Sequence, residues 1–248
     1  MTAEQVQRAG WSVWERWLPL AECQALAEAL DTAIAYCAQL QQQRLGRVSV
    51  GVAHHLPGQD PRFESLLCRE PLRAELETLL EGPLLLNSFG GVSNPPGSRA
   101  YVHAAHRDQR TWTPLPLMIN LLLMLDDFST DNGATWLLSG SHQEPQAPAH
   151  FETAAQQICA PAGSLLLFDA RVWHAAGHNH SLRPRRALTL TWTRPWFKPQ
   201  FDYLAGYSRA EQEQLPEFLK QIYGFYARVP QTLAEWYSPQ RAWREDQG

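Results

Sequence analysis

Apolar and polar positions alternate differently in the two halves of this chain. Over residues 18–44, LPLAECQALAEALDTAIAYCAQLQQQR, Leu18, Ala21, Leu26, Leu30, Ile34, Cys37 and Leu40 recur near helical spacing. The pattern predicts one helix packed on the flank of a domain. Residues 62–82 predict a second, shorter helical stretch broken at Pro71. From residue 83 the period changes. PLLLNSFGGVS reads as a strand, NPPGSRA as a turn-rich lead-in, and LPLMINLLLMLDDF as a mostly apolar strand. Asn132-Gly133 marks a tight turn. GSLLLFDARVWHAAGHN then predicts one strand with a polar end, and RRALTLTWTRPW another with β-branched alternation. Short strands with turn signals every 10–15 residues predict a β sandwich or barrel over about 83–195. The tail, about 208–240, returns to helix.

Composition narrows the class. At 248 residues the chain is within range for one β-rich domain, 1–248, with helical additions. The formal net charge of −4 argues against nucleic acid as a partner. Ten tryptophans suit a large core with aromatic walls. Cys23, Cys37, Cys68 and Cys159 form no CxxC pair. Cys23 and Cys37 on one helix stand roughly 21 Å apart at about 1.5 Å per residue, too far for a bridge. They read as reduced thiols of a cytoplasmic protein. MTAEQVQRAGWSVWERW lacks the basic start and apolar run of a signal peptide, and no apolar stretch is long enough to span a membrane.

The candidate chemistry begins at HAAHRDQRTW, residues 103–112. On a strand, His106 and Asp108 point to one face, so both reach one ion from one side. His174 ends a separate strand 66 residues after Asp108. Two imidazoles and a carboxylate on one face of an ion leave the opposite positions open, the arrangement of non-haem Fe(II) oxygenases. The plain alternative is a pair of surface polar residues. Arg185 follows His174 by eleven residues. If a hairpin joins their strands, about 4.8 Å apart, its guanidinium lies one side-chain length from the ion. There it would hold a ligand carboxylate bidentately. A surface arginine beside Arg183 and Arg186 is the plain alternative.

Other histidine readings are weaker. HRD occurs in kinases, but Thr113 stands where their asparagine belongs, and no DFG or glycine-rich loop follows. His174, His178 and His180 offer a zinc cluster that leaves Asp108 and Arg185 unexplained; His178 and His180 suit an exposed turn around Asn179. His54-His55 read as a solvated loop. Asp126-Asp127 close a strand without a catalytic role.

HRDQRTW, LLLMLDDFSTDNGATWLLSGSH and GSLLLFDARVWHAAGHNHSLRPRRALTLTW, in this order, resemble the phytanoyl-CoA dioxygenase family of Fe(II)- and 2-oxoglutarate-dependent oxygenases. The resemblance covers about residues 83–195 and, more loosely, the leading helix. It implies a mainly β fold with flanking α-helices, around a double-stranded β-helix (jelly-roll, cupin-like) core. By position it implies His106, Asp108 and His174 as iron ligands and Arg185 as the clamp for the distal carboxylate of 2-oxoglutarate. Thr135 of NGAT falls where similar enzymes often contact that co-substrate. His103 stands where they commonly carry glutamine, Ser139 replaces the proline of PGSH, and Trp112 matches an aromatic that lines the pocket or fills core. The implied reaction consumes 2-oxoglutarate and O2, releases succinate and CO2, and oxidises a small organic molecule. Related halogenases have glycine or alanine at the carboxylate position, so Asp108 argues for hydroxylation, desaturation or ring formation. Two alternatives stay open: a non-catalytic binding module on the same fold, and another metal enzyme such as a cupin-type isomerase or zinc hydrolase.

Overall fold

A computed structural model describes residues 3–97 and 103–237. The end of NPPGSRA and the last residues of the expected tail lie outside the described residues. Helix α1 (Ala3–Ala9) and strand β1 (Trp11–Trp14) open the chain, followed by α2 (Leu20–Leu45), β2 (Val52–Ala53), α3 (Pro61–Leu67) and α4 (Leu72–Leu80). The strands β3 (Leu85–Asn94), β4 (Met118–Met124), β5 (Trp136–Leu137), β6 (Gln156–Gln157), β7 (Leu165–Asp169), β8 (His174–Ala175) and β9 (Arg185–Thr193) come next, with a short α5 (Phe151–Ala154) before β6. Three short helices, α6 (Arg209–Gln214), α7 (Glu217–Ile222) and α8 (Leu233–Trp236), end it.

Two antiparallel sheets result. The major one runs β1-β7-β4-β9-β3-β2 and the minor one β6-β5-β8. This is the double-stranded β-helix expected, mainly β with helices on one side. Helix α2 matches the apolar period within a residue or two, and Gly46 closes it at φ 66°, a left-handed conformation that glycine adopts without strain. Cys23 and Cys37 do share it, and all four cysteines are free.

Both faces of the major sheet are covered, which is why its strands are apolar on consecutive residues. On β4, Ile119, Leu121 and Leu123 join Leu165, Leu167, Leu188, Leu190 and Trp192 in a core under α2, α3 and α4. Leu122, Met124, Leu166, Phe168 and Ala187 point the other way, into a second core against Leu137, Ile158 and Val172. Full burial of each such large side chain contributes about 1.5–3 kcal/mol.

The single strand expected over 163–179 is in fact two. β7 lies in the major sheet and β8 in the minor one, and the chain changes sheets between them. Asp169 makes the corner: its carboxylate accepts from the backbone N–H of Arg171 at 2.8 Å and from the Arg171 guanidinium, while its carbonyl accepts from Val172 N–H. The expected hairpin between the His174 and Arg185 strands is also absent. β8 pairs with β5, whereas β9 pairs with β3 and β4 in the opposite sheet. The ten intervening residues cross the sandwich instead of turning within a sheet. Asn179, 1% exposed, holds that crossing by donating to the carbonyls of Asn94 and Arg183 and accepting from Ser181.

Candidate metal centre

The minor sheet is extended by one residue. His106 N–H donates to the His174 carbonyl at 2.9 Å and His174 N–H donates back at 2.8 Å. Residues directly paired in this way carry their side chains on the same face. The two imidazoles therefore lie together, ring centroids 4.3 Å apart. Asp108, two residues on, joins them: Oδ1 is 3.6 Å from His106 Nε2 and Oδ2 is 3.6 Å from His174 Nε2. One ligand atom from each of the three lies within 4.8 Å of the others.

Backbone carbonyls select the tautomers. His174 Nδ1 is 3.0 Å from the Val172 oxygen and His106 Nδ1 is 2.9 Å from the Ala104 oxygen. A carbonyl only accepts, so each Nδ1 carries a proton, and in the neutral ring Nε2, the nitrogen facing Asp108, is left with the lone pair. Burial pushes the His174 imidazole below its usual pKa, against the opposing pull of the Asp108 charge. A neutral imidazole is the metal-binding form. His174 is deep, while the Asp108 side chain is 41% exposed, so the cluster opens to solvent on the aspartate side.

Arg185 starts β9 in the facing sheet and is 3% exposed. It shares the inward face of that strand with Ala187 and Thr191. Its guanidinium carbon lies 4.0 Å over the Phe128 ring, and Nε and Nη1 are buried with no hydrogen-bond partner. Burial lowers its pKa to about 10, which Asp126 opposes, so it remains a cation at neutral pH. Arg186, facing the other way, is fully engaged with Asp126 and Asp31. Of the two adjacent arginines, only Arg185 has donors held ready inside the protein.

Thr135 is buried just before β5. Its loop is pressed against the crossing that leads to Arg185: a Cβ on Gly133, at φ 82°, would stand 2.4 Å from the Gly177 carbonyl oxygen. His103 stacks on His178 at 4.4 Å between ring centroids. His178 and His180 are both exposed, as expected of a turn, and the zinc alternative does not form, since His174 closes with His106 and Asp108 instead. Trp112 donates from Nε1 to the His142 carbonyl and lines a cavity of about 420 Å³ with Ile119, Asp169 and Arg171. Ile119 faces the helix-covered core, whereas its neighbour Asn120 faces the metal cluster. His54 is exposed, as expected, but His55 is only partly so: it stacks on Phe201 at 4.4 Å and meets Tyr203 Oη at 3.3 Å.

Two residues near the cluster escaped the sequence reading. Asn120 Nδ2 donates to Asp108 Oδ2 at 2.8 Å. Its signal was a lone amide within the apolar run MINLLLML. Arg107 stacks on Trp173 at 5.5 Å and donates to the carbonyls of Glu144 and Pro145. It pins the strand between the two ligands to the loop after β5.

This chain is 33% identical over 222 residues to an uncharacterized protein of Mycobacterium tuberculosis, Rv1501, covering 85% of this chain and 81% of that one. It is 26% identical over 176 residues to dioxygenase af480 of Aspergillus fumigatus, covering 68% and 56%. The epimerase SnoN, solved in complex with Fe3+, alpha ketoglutarate and nogalamycin RO, superimposes with a TM-score of 0.60 at 18% identity over 78% of this chain and 82% of that one. That likeness is one of fold. The sequence profile of the phytanoyl-CoA dioxygenase (PhyH) family matches residues 6–187, spanning both sheets and every residue of the cluster. With its jelly-roll strands and its relatives in agreement, the chain belongs to the phytanoyl-CoA dioxygenase family.

Proposed function

We propose that this chain, acting as one domain, is an Fe(II)- and 2-oxoglutarate-dependent dioxygenase that hydroxylates a C–H bond of a small organic molecule. The observation that carries this is the joint presence of two Nε2 lone pairs and a carboxylate converging on one point and a buried guanidinium with two unpartnered nitrogens.

The donors fit the group. Two imidazoles and one carboxylate suit Fe(II) and leave room opposite for a chelating co-substrate and O2. His106 and Asp108 would hold the metal from the open side and His174 from the buried side. Arg185 would take the distal carboxylate of 2-oxoglutarate in a charge-assisted, bidentate bond worth roughly 1.5–3 kcal/mol. Thr135 and His103 are proposed as further co-substrate contacts. Phe128, under Arg185, keeps water from the guanidinium and so strengthens that bond. Iron held here supplies, with 2-oxoglutarate and O2, the oxidising power for an unactivated C–H bond, releasing succinate and CO2. Asp108 fills the position that a halide would need, which favours hydroxylation. A non-catalytic binding module has no need for His106, Asp108, His174 and Arg185 together, and a zinc hydrolase or cupin-type isomerase would not need Arg185. Names among the relatives, SnoN of nogalamycin biosynthesis included, support a small-molecule substrate.

The test is anaerobic titration of the purified chain with Fe(II) and 2-oxoglutarate, then O2 uptake and succinate release with candidate substrates. Joint binding is expected to weaken in Asp108→Ala, with residual Fe(II) affinity from the two histidines. Failure of the intact chain to bind the pair would sink the proposal. Mass analysis of the product separates hydroxylation from desaturation, cyclisation and epimerisation.

A further inference from the structure

Asp108 is the exposed member of the cluster, and its side chain leaves the minor-sheet edge beyond the last backbone pair. A carboxylate so placed is free to turn about its own axis and to offer an ion one oxygen or two. The facing sheet removes that freedom. Asn120, on the inward face of β4 and 4% exposed, donates from Nδ2 to Asp108 Oδ2 at 2.8 Å. Thr191, on the inward face of β9, donates from Oγ1 to Asn120 Oδ1 at 2.9 Å. The direction of this chain is forced: an ionised carboxylate only accepts, so the amide must present its N–H₂ to Asp108 and its oxygen to the threonine hydroxyl. The hydroxyl thereby fixes the amide, and the amide fixes the carboxylate. The apolar neighbours Leu122 and Met124 offer this amide no competing partner.

We propose that Asn120, locked by Thr191, is a positioning residue for the metal carboxylate: it engages Asp108 Oδ2 so that Oδ1 alone serves the ion. This rests on the proposed iron centre. Its consequence is specific to that chemistry. A carboxylate binding through both oxygens takes one coordination position more, and a facial set must keep its remaining positions open for co-substrate and O2. The device also ties the minor-sheet edge to β4 and β9, and β9 carries Arg185 six residues before Thr191 on the same face. One strand thus registers both the carboxylate that holds the metal and the cation that would hold the co-substrate.

The test uses the full chain, anaerobic Fe(II) titration against a competing chelator, and Co(II) as a spectroscopic probe. Asn120→Ala is expected to weaken Fe(II) binding about 10–100-fold and to alter the Co(II) visible spectrum. Thr191→Val, isosteric and not itself touching the carboxylate, is expected to shift both in the same direction by less, and serves if Asn120→Ala does not fold. In an Asp108→Ala background, adding Asn120→Ala is expected to change Fe(II) affinity no further, which a merely structural role would not produce. The inference is overturned if Asn120→Ala and Thr191→Val each leave Fe(II) affinity within about twofold of the intact chain, or if Asn120→Ala weakens it equally without Asp108. An intact chain that binds neither metal overturns the iron centre itself, a result separate from either of these.

Discussion

At Arg185 the chain buries a cation that no carboxylate of the described residues pairs with directly. Arg186, its neighbour, has Asp126 and Asp31; Arg185 has only the face of Phe128 and two unbonded nitrogens. Leaving buried donors unmet costs about 1–3 kcal/mol, more for charged groups, so this side chain destabilises the free protein and is relieved by a ligand carboxylate. Arg185→Met, similar in length and uncharged, is therefore expected to raise the melting temperature without ligand. The same change is expected to weaken 2-oxoglutarate binding by roughly 10–150-fold, the equivalent of 1.5–3 kcal/mol, while Fe(II) affinity is retained. Calorimetry of both ligands checks this. A variant that melts lower and binds 2-oxoglutarate normally would show Arg185 to be a core residue. The histidine tautomers belong to this scale too: two carbonyls, of Ala104 and Val172, decide which nitrogen each ring offers.

Between elements, the site depends on how short segments are clamped. The HxD segment is paired to β8 through one residue, too little to hold a strand alone. Asn120 and the Gln109 backbone tie it from one side, and Arg107 adds a clamp through Trp173 and the carbonyls of Glu144 and Pro145. Arg107→Ala is expected to cost about 1 kcal/mol and to speed hydrogen exchange at the His106 and His174 amides ahead of the core strands, as local opening predicts. Unchanged exchange there would remove its clamping role. On the opposite side, Gly133 and Gly177 bring the NGAT turn against the crossing loop. Gly133→Ala places a Cβ 2.4 Å from a carbonyl oxygen at φ 82°, and is expected to destabilise by at least about 1–3 kcal/mol in thermal unfolding.

Across the whole molecule, the proposed ligands come from both sheets. His106, Asp108 and His174 stand on the minor side; Arg185, and Asn120 behind Asp108, stand on the major side. Metal and co-substrate bound together would therefore bridge the sandwich. At about 100 times their dissociation constants each binding step adds about 2.7 kcal/mol, which for a chain of this size is a rise of roughly 5–10 °C in melting temperature. Scanning calorimetry with and without Fe(II) and 2-oxoglutarate measures it, and a chelator is expected to reverse it. No rise would mean that the folded chain does not bind the pair. No helix among the described residues is long and apolar enough to cross a membrane.

Much of this architecture was legible in one dimension. The α2 period, the apolar strands and the order HxD, NGA, His and Arg were readable because each depends on near neighbours or on fixed spacing along the chain. His106 and Asp108 share a face by the two-residue period of a strand, whatever surrounds them. Other features depend on where the chain crosses space. Asp169 turns what looked like one strand into two, and the ten residues between His174 and Arg185 pass between sheets instead of forming a hairpin. Local periodicity is the same on either route, since both strands stay extended. Asn120 meets Asp108, and Thr191 meets Asn120, only because β4 and β9 are neighbours facing the minor sheet. Period and motif order are local and survive in the sequence; partnership across 12 and 71 residues, as in these two hydrogen bonds, is settled by packing.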